Sequence, residues 1–241
     1  MRHRSNDPEP LPTQPATSVD GARRLKRLVA EAAGCTRCEL YKNATQTVFG
    51  RGEAGATVML VGEQPGDVED QEGEPFVGPA GRILGDALES AGLADAPRYV
   101  TNAVKHFKWE PRGKRRIHKR PNVAEMRACH YWLEEEIGAV RPKIIVALGA
   151  TATRAVAGPA VQVMKDRGRR LRSATGQPLL VTVHPSSILR APDSDARQHA
   201  MEMFVADLTQ VAAWLQELTP PSPRPSRPPA KAARARTSRG G

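Results

Sequence analysis

The apolar positions of the chain fall into short runs separated by longer amphipathic stretches. Four runs rich in Val and Ile have strand character: Val58 to Val61, Tyr99 to Val104, Lys143 to Leu148 and Leu179 to Val183. Helical spacing occupies Ala80 to Ala91, Val123 to Ile137 and Ala150 to Val156, and follows the last strand from Ala200 to Leu218. Strands that alternate with helices predict a parallel sheet covered on both faces. The expected fold is therefore α/β, a three-layer α/β/α sandwich around a central four-stranded parallel sheet, spanning residues 21–218.

Ligands of such sheets bind beyond the carboxyl ends of the strands. The first strand leads into Gly62-Glu63-Gln64-Pro65-Gly66 and the second into Asn102. The third leads into Gly149-Ala150-Thr151 and the fourth into His184-Pro185-Ser186-Ser187. Polar and glycine-rich elements thus gather on one edge. No internal repeat and no Walker or dinucleotide fingerprint is present, which removes the common nucleotide-cofactor classes.

Composition changes the picture at the two flanks. Ten of the 21 prolines lie near the ends of the chain, and residues 219–241 hold six basic residues with no acid and no aromatic. Segments 1–20 and 219–241 cannot bury enough apolar surface to offset their ordering entropy and are expected to be disordered. The net charge of +10 is unevenly spread: Arg98 to Arg120 contains nine basic residues and one acid, Glu110. The densest part is Lys114-Arg115-Arg116-Ile117-His118-Lys119-Arg120, which by itself reads as a solvated or phosphate-binding loop. No apolar run is long enough to cross a bilayer, and the polar start lacks a signal-peptide core, so a cytoplasmic protein is expected; association with the nucleoid and a monomeric state are expected beside it. Three cysteines are an odd number, which points to metal ligation or free thiols rather than an internal disulfide framework.

In order along the chain, Gly62-Glu63-Gln64-Pro65-Gly66, Pro75-Phe76-Val77-Gly78, Thr101-Asn102 and His184-Pro185-Ser186-Ser187 resemble the motifs of the iron–sulfur uracil-DNA glycosylases of family four. The basic segment Lys114-Arg115-Arg116-Ile117-His118 resembles the insertion of the UdgX branch, whose members become covalently attached to uracil-containing DNA. The similarity covers about Cys35 to Leu215.

The resemblance implies a site. Phe76 would stack on the flipped base, and Asn102 would read its edge, donating to O4 and accepting from N3–H, a pattern that cytosine reverses. Gly62 and Gly66 belong to the same uracil pocket, and Glu69 matches the acidic position that excludes thymine. His184 would hydrogen-bond O2 as charge develops there, although before Pro-Ser-Ser it also suits a helix start capped by Ser186 or Ser187. Gln64 stands with Glu63 among the catalytic residues. In hydrolytic relatives the acid matching Glu63 assists water; in the UdgX branch the histidine matching His118 captures the sugar cation. For that, Glu63 would orient a neutral imidazole. Lys114, Arg115, Arg116, Ser186 and Ser187 would position the loop and the DNA.

Cys35-Thr36-Arg37-Cys38 is a chelating pair and Cys129 a third thiolate. Family four normally has a fourth cysteine after the second strand, where this chain has His106. The resemblance therefore implies a [4Fe–4S] cluster on Cys35, Cys38, His106 and Cys129. Three cysteines and one histidine also suit zinc, and His130 competes for the fourth position. The expected partner is uracil-containing DNA, single-stranded by preference. A turnover-competent hydrolytic glycosylase and a non-catalytic DNA-binding iron–sulfur module are the competing functions.

Overall fold

A computed structural model describes residues 18–218. In chain order these form α1 (Ser18–Ala33), β1 (Val58–Gly62), α2 (Asp67–Glu72), α3 (Pro79–Ser90), β2 (Arg98–Asn102), β3 (Trp109–Arg112), β4 (Arg115–His118) and α4 (Val123–Val140). Then come β5 (Ile144–Leu148), α5 (Ala150–Ala157), α6 (Val163–Asp166), β6 (Arg170–Arg172), β7 (Pro178–Thr182), α7 (Pro185–Leu189) and α8 (Ser194–Leu218).

The central sheet runs β2-β1-β5-β7-β6. Pairings β1–β2, β1–β5 and β5–β7 are parallel, with Gly62 level with Asn102 and Leu148 level with Thr182. The strands alternate between two apolar layers. Met59, Val61, Ile145, Ala147, Leu179 and Val181 face Leu25, Leu28, Trp132, Leu133 and Val156 from α1, α4 and α5. Val58, Leu60, Ile144, Val146, Leu148 and Leu180 face Leu84, Leu88, Ile188, Phe204 and Leu208 from α3, α7 and α8. Burial on both faces is what makes these strands continuous apolar runs in sequence. The α/β sandwich is as expected.

Three expectations need correction. The sheet has five strands, not four, because β6 pairs antiparallel with β7 at one edge. Its sequence is Arg-Leu-Arg, too short and too charged to register as an apolar run, and such charge is typical of a protected edge. The segment Trp109 to His118 is an antiparallel hairpin rather than a plain basic loop, turning at Gly113, whose φ of 60° suits the first central position of a two-residue hairpin turn. Finally, α1 begins at Ser18, inside the flank expected to be disordered; Asp20 in its first turn complements the helix dipole, and Gly21, Leu25, Leu28 and Ala32 form the buried stripe. Residues 1–17 of the first expected flank and all of 219–241 lie outside the described residues. Among the described residues no helix is long and apolar enough to cross a membrane.

Candidate functional site

At the carboxyl edge of the parallel strands lies a cavity of about 910 Å³. Its walls include Glu63, Gln64, Gly66, Glu69, Phe76, Asn102, His118, His184, Ser186 and Ser187. Ten of the residues singled out from sequence therefore meet in one place. Gly62 lies just behind the wall: a Cβ there would stand 2.4 Å from Asn102 Oδ1 and 2.6 Å from Phe76 Cζ, so only glycine lets the two side chains close over the strand end.

Asn102 is buried at the end of β2, and its Oδ1 has no hydrogen-bond partner. A buried unpaired carboxamide oxygen costs free energy, which a ligand N–H recovers. Phe76 has φ +58°, a strained conformation for a bulky residue, and its ring centroid lies 5.9 Å from that of His184. Gly81 packs directly on the Phe76 carbonyl, where a Cβ would come within 1.7 Å, so the strained turn is held by helix α3.

His184 Nδ1 accepts a hydrogen bond from the Ser186 backbone N–H at 3.2 Å and lies 2.9 Å from the Ser186 hydroxyl. The histidine itself therefore caps α7. Burial, reinforced by Arg190 and His118, holds its pKa near about 4. A neutral ring that accepts at Nδ1 carries its proton on Nε2, the arrangement of a neutral hydrogen-bond donor.

His118 ends β4, and its Nε2 lies 3.5 Å from Glu63 Oε1. Burial pushes the imidazole below its ordinary value; Glu63 opposes this, and Arg190 and Arg120 reinforce it. Glu63 also accepts from the Thr151 hydroxyl and has Arg120 Nε at 3.7 Å. Thr151 was absent from the expected site, though it follows Gly149 at the third strand's end, where ligand-binding loops belong.

The hairpin bearing His118 is fastened at several points. Gln64 Nε2 donates to the Lys108 and Lys119 carbonyls, both at 3.1 Å, and so clamps its two feet. Arg116 bonds Asp67 at 2.5 Å and buried Asp70 at 2.6 Å, and Trp109 Nε1 donates to the Asn43 carbonyl at 2.8 Å. Gln64, expected among the catalytic residues, is thus engaged in holding the hairpin, as is Arg116, which was expected to position the loop and the DNA. Lys114 and Arg115 are exposed at its tip. Glu69 lines the cavity, yet its two oxygens accept from Gly66 N–H at 3.1 Å and Gly78 N–H at 2.8 Å. It joins the Gly62–Gly66 turn to the loop after Phe76.

Behind Asn102 sits a polar network that sequence reasoning missed. Lys105 and Glu136 are fully buried and 2.5 Å apart. The Lys105 ammonium also donates to the Asn102 carbonyl and the Thr101 hydroxyl, each at 2.7 Å. Glu136 accepts from Tyr99 and Thr101 hydroxyls, both at 2.9 Å, and from Gly50 N–H at 3.0 Å. A lysine inside the apolar stretch from Ala103 to Phe107 was the available signal, since buried lysines are nearly always paired.

The cysteines and His106 lie beyond this network. Cys38 and Cys129 share a hydrogen bond that draws Cys38 down to about 6 and, with burial, pushes Cys129 up. Cys129 Sγ accepts from Lys105 N–H at 3.4 Å, and Cys35 Sγ from Trp132 Nε1 at 3.2 Å. His106 Nε2 faces the Thr47 hydroxyl at 2.9 Å, while its buried Nδ1 has no partner. An imidazole neutral through burial, anchored at one nitrogen and orphaned at the other, fits a metal ligand. Among the described residues no three His, Cys, Asp or Glu side chains converge on one ion position. His130 instead faces Glu134 at 3.3 Å.

Comparison with known proteins gives a consistent match. The profile of the uracil DNA glycosylase superfamily fits residues 49–209. A type-4 uracil-DNA glycosylase of Thermotoga maritima is 37% identical over 180 residues, covering 74% of this chain and 90% of the relative. One of Pyrobaculum aerophilum is 34% identical, covering 70% and 86%. A type-5 uracil-DNA glycosylase of the same archaeon is 32% identical, covering 68% and 81%.

Proposed function

The chain belongs to the uracil DNA glycosylase superfamily, and from that premise we propose that it excises uracil from DNA and then remains joined to the deoxyribose through His118. The observation that carries this reading is that the His118 imidazole, on an anchored hairpin and 3.5 Å from Glu63, opens onto the same cavity as Phe76, Asn102 and His184.

Uracil drawn out of the stack would lie against Phe76, with N3–H donating to the orphaned Asn102 Oδ1. As the bond from C1′ to N1 breaks, its electron pair stays with the base, and the charge growing on O2 is met by the His184 Nε2–H. The sugar is left electron-deficient at C1′. The His118 nitrogen turned towards Glu63 carries the proton, so the other keeps its lone pair and forms the new bond to C1′. The imidazolium formed passes its proton towards Glu63, and the uracil anion takes a proton from water. The Gln64 clamp and the Arg116 anchors keep His118 in range of C1′ rather than free in solvent.

Cys35, Cys38, Cys129 and His106 would hold a [4Fe–4S] cluster, which when bound ties the N-terminal segment to α4 and the strand end carrying Asn102. The substrate is uracil-containing DNA, single-stranded by preference because an unpaired base is extruded at lower cost. The protein would act as a monomer.

The test is direct. Purified protein mixed with single-stranded DNA containing one uracil should give a heat- and detergent-resistant species of low mobility on a denaturing gel, absent when thymine replaces uracil. Release of uracil without that species would mark an ordinary hydrolytic glycosylase. Equal, salt-dependent binding of both oligonucleotides without release would mark a DNA-binding module.

A further inference from the structure

Between α5 and β6 the chain presents Met164 with 81% of its surface exposed, the highest value among the large apolar side chains of the described residues. The same side chain lines the cavity with Phe76 and His184, which places it at the mouth. Single exposed apolar residues are ordinary on protein surfaces, but the way this one is mounted is not. Buried Asp166 accepts from Gln162 N–H at 2.9 Å and from Arg169 at 3.1 Å. Buried Asp207 accepts from Arg167 at 3.0 and 2.8 Å and from the Thr182 hydroxyl at 2.5 Å, and Gly168 N–H donates to the Val181 carbonyl at 3.0 Å. Asp166 therefore closes the turn on itself, and Asp207 with the Val181 carbonyl fixes the residues just after Met164 to α8 and β7, leaving an apolar tip in water on an anchored turn.

We propose that Met164 is a DNA-contacting wedge that packs on the base next to the extruded uracil. The inference rests on the glycosylase reading of the cavity. When a base leaves the stack, its neighbour exposes an apolar face at the cavity mouth. A thioether side chain is flexible and polarisable enough to cover such a face, and methionine is among the side chains that wedge between base steps. Exposed Lys165, beside it, suits the flanking phosphate.

The experiment uses single-stranded oligonucleotides with one uracil flanked on either side by 2-aminopurine, whose fluorescence reports its stacking. Met164→Ala should raise the half-saturating DNA concentration about 5- to 30-fold, the loss of one base contact of ~1–2 kcal/mol, while leaving the rate at saturating DNA within about twofold. It should also shrink the fluorescence change from one flanking position, and Met164→Leu should restore both. Half-saturation and fluorescence in Met164→Ala matching the wild type would overturn the proposal. Failure of the wild type to distinguish uracil from thymine would instead count against the glycosylase reading, so the two failures are told apart.

Discussion

His118 Nε2 lies 3.5 Å from Glu63 Oε1, joining the end of the basic hairpin to the turn that follows the first strand. A carboxylate at this distance can orient an imidazole without being its tight partner. Replacing His118 with Ser removes the proposed nucleophile and leaves Phe76, Asn102 and His184 in the cavity wall. The denaturing gel should then show no retarded species, while free uracil is still released. Glu63→Gln should slow adduct formation on the order of 10²-fold, a typical loss for a misplaced proton acceptor. Full crosslinking by His118→Ser would refute the nucleophile assignment.

The pH profile follows from the same pair. Burial lowers the His118 pKa below 6.5, so the ring is neutral above that value and gains a proton only at lower pH. Single-turnover adduct formation should be flat from pH 8 to 6.5 and fall only under more acidic conditions. His184 adds a stability effect. Its pKa is near about 4 when folded and 6.5 as a free group, so the unfolded chain binds the extra proton between those values. Stability should therefore drop by roughly 1.4 kcal/mol per pH unit from this residue as pH falls from about 6.5 to 4, and change no further from it below 4. Denaturant titrations of wild type and His184→Asn, compared across that window, read the difference.

Gly62 has no catalytic atom, yet it should be indispensable. Its missing Cβ makes room for Asn102 Oδ1 and Phe76. Gly62→Ala should depress uracil release as far as Asn102→Ala does, on the order of 10²-fold or more given an unpaired base edge. Circular dichroism should remain that of the wild type. An active Gly62→Ala protein would show that the two side chains can part without loss.

The strands β1, β5 and β7 were legible because both faces are buried, which leaves uninterrupted apolar runs. Edge strand β6 was not, since Arg170 and Arg172 flank a single leucine. The hairpin was equally hidden: charged residues dominate it, and its shape comes from Gly113 and from distant anchors such as Asp70 and Gln64. The cavity brings together Glu63, Asn102 and His184, which stand in motifs after strand ends, and His118, which only the resemblance of the basic segment singled out. Thr151 and the Lys105–Glu136 pair were missed because their partners are brought close only by tertiary register. Gln64 was expected at the chemistry, and its contacts, like those of Arg116, give it the task of holding the hairpin.

That task is testable. Gln64→Ala removes the bonds to both feet of the hairpin, and Arg116→Ala removes the guanidinium from Asp67 and Asp70. Either change should loosen His118 more than the base pocket. The ratio of adduct to free uracil should fall by roughly tenfold or more, since misplacement by about 1 Å can cost 10²-fold, while total uracil release changes little. An unchanged ratio would mean that the hairpin holds its position without them.

For the proposed cluster, His106 supplies the decisive substitution, because its buried Nδ1 has no hydrogen-bond partner and its Nε2 faces the Thr47 hydroxyl. His106→Cys should keep iron, with a visible absorption spectrum altered by the new thiolate. His106→Ala should lose iron and the absorption band together. Iron content equal to wild type in the alanine variant would remove His106 from the ligand set.

The buried pair behind Asn102 makes the sharpest claim about stability. All three protons of the Lys105 ammonium have acceptors: Glu136, Thr101 and the Asn102 carbonyl. Lys105→Met leaves the Glu136 carboxyl fully buried with only neutral donors, and breaking one side of such a pair typically costs about 3–5 kcal/mol. Glu136→Leu with Lys105→Met removes both charges and should recover much of that loss, a coupling that a double-mutant cycle in denaturant measures. The recovered stability should not bring back activity, because the Asn102 carbonyl still lacks the ammonium that fixes the strand end. A double variant that is both stable and fully active would show that the pair supports the fold alone and has no part in holding Asn102 for uracil release.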